Sequence, residues 1–111
     1  ALLGALALGD IGQHFPNNDD AYKNIDSKIL LKKCVELIRS KGYAVVNVDA
    51  TLCLESPKIR PYVTKMQEVI APLLGVEIDA VSIKATTTEK MGFAGREEGL
   101  MAQATVLLQQ S

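Results

Sequence analysis

The sequence predicts an α+β fold, in which a small mixed β-sheet carries helices on one of its faces. Two kinds of periodicity indicate this class. Two segments place apolar residues at helical spacing, and three segments alternate apolar with polar residues as half-buried strands do. The elements follow in the order helix, loop, helix, strand, helix, strand, strand. With 111 residues and 48% apolar composition, the chain is long enough for one core, so residues 1–111 are predicted to form a single domain.

Two amphipathic helices account for the helical segments. The first begins at an N-cap on Asp26 or Ser27 and reaches Gly42, a residue type suited to the C-terminal end of a helix; its apolar positions are Leu30, Leu31, Cys34, Val35 and Ile38. The second ends at Gly75, and its apolar positions are Val63, Met66, Ile70, Leu73 and Leu74. Ala1 to Leu8 resembles the second half of a buried helix, so the chain is expected to begin within a domain.

Three strands are predicted from alternation. Ala44 to Leu54 is apolar at every even position, which indicates a long strand with one buried face. A second strand carries Val81, Ile83 and Ala85, and a third runs from Leu100 to Leu108, again with its even positions apolar. The segment from Gly9 to Asp26 is rich in Gly, Pro, Asn and Asp and is predicted to be a long loop.

Composition excludes several classes of function. The formal net charge is −1, so the chain lacks the overall positive charge that holds nucleic acid. The longest apolar run, Ala1 to Leu8, is far too short to cross a membrane. Cys34 and Cys53 are predicted to be buried, reduced and unlinked, because two cysteines make neither a disulfide framework nor a metal knuckle.

The segment from Lys84 to Arg96 is the strongest candidate for chemistry. Thr86, Thr87 and Thr88 leave a strand together and offer hydroxyl and backbone N–H donors in one turn, as phosphate-binding nests do. Glu89 can bind a divalent cation that bridges phosphates, and Arg96 can bind a phosphate through two donors. Residue types alone leave open the alternative of a threonine-rich strand end followed by an ordinary turn.

Two further segments give weaker signals. In Gly9 to Asp19, two aspartates, Asp10 and Asp19, can accept hydroxyl hydrogens, and Gly12 allows a ligand to approach the backbone. The segment Leu54 to Arg60 follows a strand, where exposed backbone groups can recognise the edge of a flat ring; the alternative is a solvated turn. His14 has no second histidine or cysteine nearby, so a structural or solvent-facing role is expected for it.

Taken together, these segments resemble the 2-C-methyl-D-erythritol 2,4-cyclodiphosphate synthase family in order and spacing along all 111 residues. The similar stretches are Ala1–Ala5, Leu8–Gly12, Phe15–Pro16, Asp26–Ser27, Asn47–Asp49, Pro57–Lys58 and the whole of Lys84–Arg96. The resemblance implies an enzyme of non-mevalonate isoprenoid synthesis. Its substrate is 4-diphosphocytidyl-2-C-methyl-D-erythritol 2-phosphate, whose 2-phosphate attacks the β-phosphate within the same molecule and releases CMP.

The resemblance also implies roles for individual residues. The methylerythritol part of the substrate is expected against Asp10, Ile11 and Gly12, continued by Phe15, Pro16, Asn17, Asn18 and Asp19; Asn17 stands where the family often has an acidic residue. The cytidine pocket is expected at Leu54, Glu55, Ser56, Pro57, Lys58, Ile59 and Arg60. The diphosphate is expected at Thr86, Thr87, Thr88 and Glu89, with Thr87 stabilising the transition state and Glu89 binding magnesium or manganese. Phe93 and Arg96 are the last expected contacts to substrate or cavity.

The family's catalytic zinc is held by an Asp-x-His pair and a helical His, which are expected upstream of Ala1 and are absent from this sequence. The chain by itself is therefore predicted to be inactive. The resemblance further implies a homotrimer with active sites between subunits and an axial cavity that can hold an isoprenoid diphosphate near Arg96. It also implies a location in the bacterial cytoplasm, or in the plastid stroma if a transit peptide has been lost. On the last strand, Met101, Gln103, Thr105 and Leu107 are expected to face the three-fold axis.

Two alternatives stay open at this level. The chain could belong to a non-catalytic trimer of the same fold that binds phosphate or isoprenoid diphosphate, which upstream zinc ligands would argue against. It could also be an unrelated small α+β trimer, such as a chorismate-mutase-like enzyme. Binding of a cytidine nucleotide would separate the second alternative from the synthase.

Overall fold

The computed structural model describes residues 1–16 and 18–111. Five helices occur in this part of the chain: α1 (Leu2–Ala5), α2 (Ile11–His14), α3 (Ser27–Ser40), α4 (Val63–Leu74) and α5 (Gly92–Gly95). Three strands alternate with them: β1 (Tyr43–Cys53), β2 (Val81–Thr86) and β3 (Met101–Gln110). Short 3-10 turns occupy Asp20–Tyr22, Arg60–Tyr62 and Ile78–Ala80. Each predicted helix and strand is present, with ends that differ by a few residues at most.

The three strands form one mixed sheet in the order β2-β1-β3. β1 is parallel to β2, and α4 lies in the crossover that joins them. β1 is antiparallel to β3, and the two are paired from Tyr43 opposite Gln110 to Cys53 opposite Met101. The parallel pairing brings the ends of β1 and β2 to the same edge of the sheet, with Cys53 opposite Thr86. This edge positions the candidate segments Leu54 to Arg60 and Lys84 to Arg96 beside each other.

A β-bulge in β1 overturns part of the predicted alternation. The register with β3 shifts between Val45 and Asn47, so one extra residue is inserted and the side chains change faces at that point. Val45 is consequently buried, while Val46, predicted on the buried face, is 37% exposed. Beyond the bulge the predicted alternation holds, because Val48 and Ala50 line the helix side of the sheet.

The core lies between one face of the sheet and helices α1, α3 and α4. Ile38 at 0% exposure, Val35 and Val81 are its most deeply buried large side chains. Around them pack Leu2, Leu3, Cys34, Val45, Ala71 and Leu74. Burial of these side chains on a single face of the sheet confirms the predicted layer arrangement.

Local signals for helix ends are confirmed where they were strongest. Asp26 is the N-cap of α3, its Oδ1 accepting the N–H of Lys28 at 2.9 Å, and Gly75 ends α4 in the left-handed conformation with φ of 74°. The segment from Gly9 to Asp26 is less irregular than predicted, since it contains α2 and one 3-10 turn. None of the helices in residues 1–16 and 18–111 is long and apolar enough to cross a membrane.

Candidate functional site

The candidate site is built around the turn that follows β2. Thr86 is the last residue of the strand, and the next residues turn back on themselves through hydrogen bonds of their own side chains. The Thr87 Oγ1 accepts the backbone N–H of Glu89 at 3.2 Å, and the Thr88 hydroxyl donates to the carbonyl of Met91. Glu89 and Lys90 both adopt positive φ, at 53° and 64°. The side chains of Thr86, Thr87 and Glu89 are exposed on this turn.

The end of β1 is hydrogen bonded to this turn. The N–H of Leu54 donates to the carbonyl of Thr86 at 3.0 Å. The Glu55 Oε1 accepts the N–H of Thr88 at 3.3 Å and the N–H of Lys90 at 3.0 Å. Two segments that were predicted separately, one for the nucleotide and one for the diphosphate, therefore form a single surface within one chain.

The predicted phosphate nest needs a correction. The backbone N–H groups of Thr88 and Lys90 point to Glu55, and that of Glu89 points to Thr87. These donors are therefore engaged by the protein itself, and the carboxylate of Glu55 is the anion in the nest. The hydroxyls of Thr86 and Thr88 also donate within the turn, to the carbonyls of Thr87 and Met91. The Thr87 hydroxyl and the exposed carboxylate of Glu89 are therefore what the turn presents outward.

The segment from Leu54 to Arg60 contains buried residues that anchor it and exposed residues that a ligand can reach. Leu54 and Ile59 are buried, so their side chains anchor the segment and only their backbone groups are available to a ligand. Ser56, Pro57, Lys58 and Arg60 are exposed, the Ser56–Pro57 peptide bond is cis, and the Ser56 hydroxyl donates to Glu97 Oε1 at 3.1 Å. A shallow cleft of about 520 Å³ adjoins the segment. Its lining residues are Ile59, Arg60, Val63, Thr64, Ile83, Lys84 and Ala85. Its size is in the range of small-molecule sites.

The first candidate segment, Gly9 to Asp19, is held by local hydrogen bonds of its own aspartates. Asp10 caps α2 by accepting the N–H of Gln13 at 3.0 Å, and Asp19 accepts the N–H of Ala21 at 3.0 Å. Phe15 is half-buried and packs edge-to-face on Tyr22, with ring centroids 5.5 Å apart. Each aspartate uses one carboxylate oxygen in its cap, while Ile11, Gly12, Pro16 and Asn18 are exposed. Asn17 lies outside the described residues.

In residues 1–16 and 18–111, no hydrogen bond or ion pair joins this first segment to the turn after β2. An apolar cavity of about 360 Å³ lies next to Ile11 and is lined mostly by apolar residues of the helices and the sheet, such as Leu31, Cys34 and Val81. Among the residues that the structure describes, hydrogen bonds therefore join the segment Leu54 to Arg60 to the turn after β2 but join the first segment to neither.

Phe93 and Arg96 follow the turn on and after α5. The ring of Phe93 is largely exposed. The guanidinium of Arg96 is paired with Glu98 through two bonds, Nε to Oε1 at 2.8 Å and Nη2 to Oε2 at 3.3 Å. An anion that binds Arg96 must therefore share it with Glu98 or displace that carboxylate.

The residues of the turn fit one class of metal and not another. Magnesium is commonly held by one or two carboxylates together with substrate phosphates, and the exposed Glu89 can supply such a carboxylate. A zinc site needs three or four protein ligands, and the described residues contain no group of three His, Cys, Asp or Glu side chains that could hold a metal. His14 has a structural partner, since its Nε2 lies 2.7 Å from the carbonyl oxygen of Leu8.

Sequence reasoning missed an ion pair on the face of the sheet opposite the helices. Lys84 binds Asp49 across β1 and β2, and this bond, with a second from Ser82, lowers the pKa of the Asp49 carboxyl. Asp49 and Lys84 both belong to stretches that carried the family resemblance, but their spacing of 35 residues gave no sign of contact. Cys34 and Cys53 are buried and unlinked, as predicted.

Comparison with known proteins decides between the open interpretations. Residues 1–109 match the YgbB family. The chain belongs to this family of 2-C-methyl-D-erythritol 2,4-cyclodiphosphate synthases. The synthase of Bacteroides fragilis is 61% identical over 108 residues, covering 97% of this chain and 68% of that protein. The synthase of Bacteroides thetaiotaomicron is 60% identical over 109 residues, covering 98% of this chain and 69% of that protein.

Solved structures of similar fold support the same family assignment. The bifunctional IspDF from Campylobacter jejuni has a TM-score of 0.95 and 40% identity, covering 100% of this chain and 30% of that one. IspF of Plasmodium falciparum in a CDP complex has a TM-score of 0.85 and 32% identity, covering 98% of this chain and 65% of that one. The family resemblance is confirmed, and the alternative of an unrelated chorismate-mutase-like fold is excluded. The synthase fold spans the whole chain, which in turn spans about two thirds of the curated synthases.

Proposed function

We propose that this chain supplies the nucleotide and diphosphate surfaces of a 2-C-methyl-D-erythritol 2,4-cyclodiphosphate synthase. The reaction is cyclisation of 4-diphosphocytidyl-2-C-methyl-D-erythritol 2-phosphate, with release of CMP. The observation that carries the proposal is the hydrogen-bonded junction of β1 and β2, where Glu55 joins the segment Leu54 to Arg60 to the turn from Thr86 to Lys90. A nucleotide on the first segment would place its diphosphate on the second.

For this reaction the protein mainly has to position the substrate and stabilise the negative charge of its phosphates. The substrate's own 2-phosphate is the nucleophile: a new P–O bond forms at the β-phosphorus, and the bond to the CMP oxygen breaks. The chain's task is to hold a flexible molecule bent so that these groups meet in line. The hydroxyl of Thr87, on the exposed turn, is the donor that we assign to the charge that develops on the phosphoryl oxygens.

Glu89 is the residue that would hold a magnesium or manganese ion. Such an ion would supply positive charge that offsets the negative charge of the substrate's phosphates. Lys58 and Arg60 are exposed cations on the neighbouring segment and add to the attraction for a polyanion. Zinc has no complete ligand set among the described residues, so no step is assigned to it here.

Assembly into a homotrimer is part of the proposal. The face of β3 turned away from the helices carries Met101 and Leu107, both exposed in the single chain, which favours an intersubunit contact. Among the described residues, no hydrogen bond joins the segment of Asp10 and Asp19 to the turn after β2, and the family resemblance implies a site completed by a neighbouring subunit. Arg96 is the residue assigned to an isoprenoid diphosphate in the axial cavity, and the bacterial origin of the curated relatives supports a cytoplasmic location rather than the plastid stroma.

The test is a comparison of turnover with nucleotide binding in the complete gene product. Glu89→Gln removes a metal ligand but no base contact, so kcat should fall much more than affinity for CMP. Glu36→Gln is the matched control, because it makes the same change on the exposed surface of α3. CMP release is followed by phosphorus NMR at saturating magnesium, and CMP binding by calorimetry.

Each outcome has a distinct meaning. A wild-type protein that binds CMP but produces no cyclic diphosphate would favour the non-catalytic alternative, for which no observation argues at present. Unchanged turnover of Glu89→Gln at saturating magnesium would remove Glu89 from the mechanism. A loss of CMP binding as large as the loss of turnover would place Glu89 in the nucleotide pocket instead.

A further inference from the structure

Glu55 makes a contact that its position in the sequence did not predict. Its side chain extends from the end of β1 into the turn after β2, where one oxygen accepts two backbone N–H groups. The partners lie 33 and 35 residues further along the chain. The residue was expected in the nucleotide pocket, but its carboxylate faces the diphosphate segment.

The conformation of the turn explains why it needs such a partner. Glu89 and Lys90 are consecutive non-glycine residues with positive φ, a conformation that residues with a Cβ adopt only when their surroundings compensate. Glu55 bonds the residue before this pair and the second residue of the pair. A carboxylate or an amide oxygen can accept both bonds, and the negative charge of the carboxylate adds to their strength without being required for them. The carboxylate therefore stabilises the strained conformation that presents Thr87 and Glu89.

We infer that Glu55 is a positioning residue for catalysis, a conclusion that rests on the proposed function. It touches neither substrate nor metal in this role. It holds the backbone of the turn so that the Thr87 hydroxyl and the Glu89 carboxylate stand where the diphosphate and its cation bind. Its effect is expected on kcat and on magnesium dependence, since both depend on the placement of those two groups.

A competing interpretation has a different consequence. Glu55 could occupy the nest only until a phosphate of the substrate displaces it. Removing the carboxylate would then open an anion site, and pyrophosphate would bind more tightly. If the carboxylate is a permanent part of the turn, its removal weakens pyrophosphate binding or leaves it unchanged, because the nest loses its shape. Pyrophosphate affinity therefore separates the two interpretations.

The experiment compares Glu55→Ala and Glu55→Gln in the complete gene product. Alanine removes the acceptor, whereas glutamine keeps a side-chain oxygen at the same position. We expect Glu55→Ala to lose about 100-fold in kcat, to need more magnesium for half-maximal rate, and to bind CMP nearly normally. Glu55→Gln should recover most of the rate. Amide hydrogen exchange, which needs no activity, should show faster exchange at Thr88 and Lys90 in the alanine variant only.

The control is Glu36→Ala, which removes an exposed carboxylate from α3 and should change neither rate nor exchange. A Glu55→Ala protein with wild-type kcat and magnesium dependence would overturn the inference, as would tighter binding of pyrophosphate. Equal losses in both variants would also overturn it, because the two bonds need only an oxygen acceptor. An inactive wild-type protein with protected amides at Thr88 and Lys90 would refute the proposed function while leaving the contact itself intact.

Discussion

Replacing Gly95 with alanine tests how tightly the turn after β2 is packed. A Cβ at Gly95 would overlap the backbone carbonyl group of Lys90. The obstacle is main chain, so neither residue can relieve the overlap by changing a rotamer. Forced overpacking of this kind costs about 1–3 kcal/mol, while the loss of a glycine from the unfolded chain returns about 0.4–1 kcal/mol. The midpoints of the two ranges differ by about 1.3 kcal/mol, and we expect a net destabilisation of that order because the overlap is with main chain.

The assay is urea unfolding at fixed protein concentration, combined with thermal unfolding, where about 1 kcal/mol corresponds to roughly 4 °C in a domain of this size. Gly92→Asn is the control. Gly92 has φ of 71°, and a Cβ added there would meet no heavy atom within 4 Å; asparagine tolerates that backbone conformation. Gly95→Ala as stable as the wild type would refute the packing argument. Gly95→Ala that is destabilised but fully active would show that Lys90 can move without disturbing the site.

Three further predictions concern assembly, stability and the thiols. Leu107→Lys should preserve the circular dichroism spectrum, because Leu107 is 56% exposed in the single chain, but the variant should sediment as a smaller species and lose turnover. The control Ile29→Lys on α3 should change neither sedimentation nor turnover. An unchanged sedimentation coefficient for Leu107→Lys would contradict the proposed interface between subunits. Asp26→Ala should lower the melting temperature at neutral pH. The hydrogen bond from the Lys28 N–H lowers the pKa of the Asp26 carboxyl from its ordinary value of 3.8, so the stabilising effect of the ionised carboxylate is present above pH 3.8 and is lost as the pH falls through the lower pKa of the folded state. Asp26→Asn should not show this pH dependence. Burial raises the pKa of the Cys34 thiol, so Cys34 should react slowly with thiol reagents in the folded protein, and finding no free thiol after unfolding would contradict the absence of a disulfide.

Much of the candidate site was visible in the sequence because its signals are local. The threonine run ends β2 as predicted, and the break after β1 falls at the segment predicted to contact the nucleotide. These features depend on neighbours a few residues away, such as strand alternation, the N-cap at Asp26 and the C-terminal glycine of α4. The order and spacing of the motifs were also sufficient to indicate the family.

Contacts between residues that are far apart in the sequence could not be predicted from local sequence patterns. The bulge that exposes Val46 depends on the pairing of β1 with β3, and a one-residue change of register reverses every side chain on one side of it. The pair Asp49 and Lys84 arises only because β1 and β2 lie side by side.

The sequence by itself determined helices α3 and α4, the three strands, the family and the residue types that can meet a diphosphate. Only the tertiary structure decided which anion occupies the nest and which segments share a surface. The N–H groups of Thr88 and Lys90 are directed at Glu55 because the parallel pairing of two strands brings the ends of β1 and β2 to one edge. Backbone donors in a turn have no sequence signature of their own, so their partner is set by what the fold places within hydrogen-bonding distance.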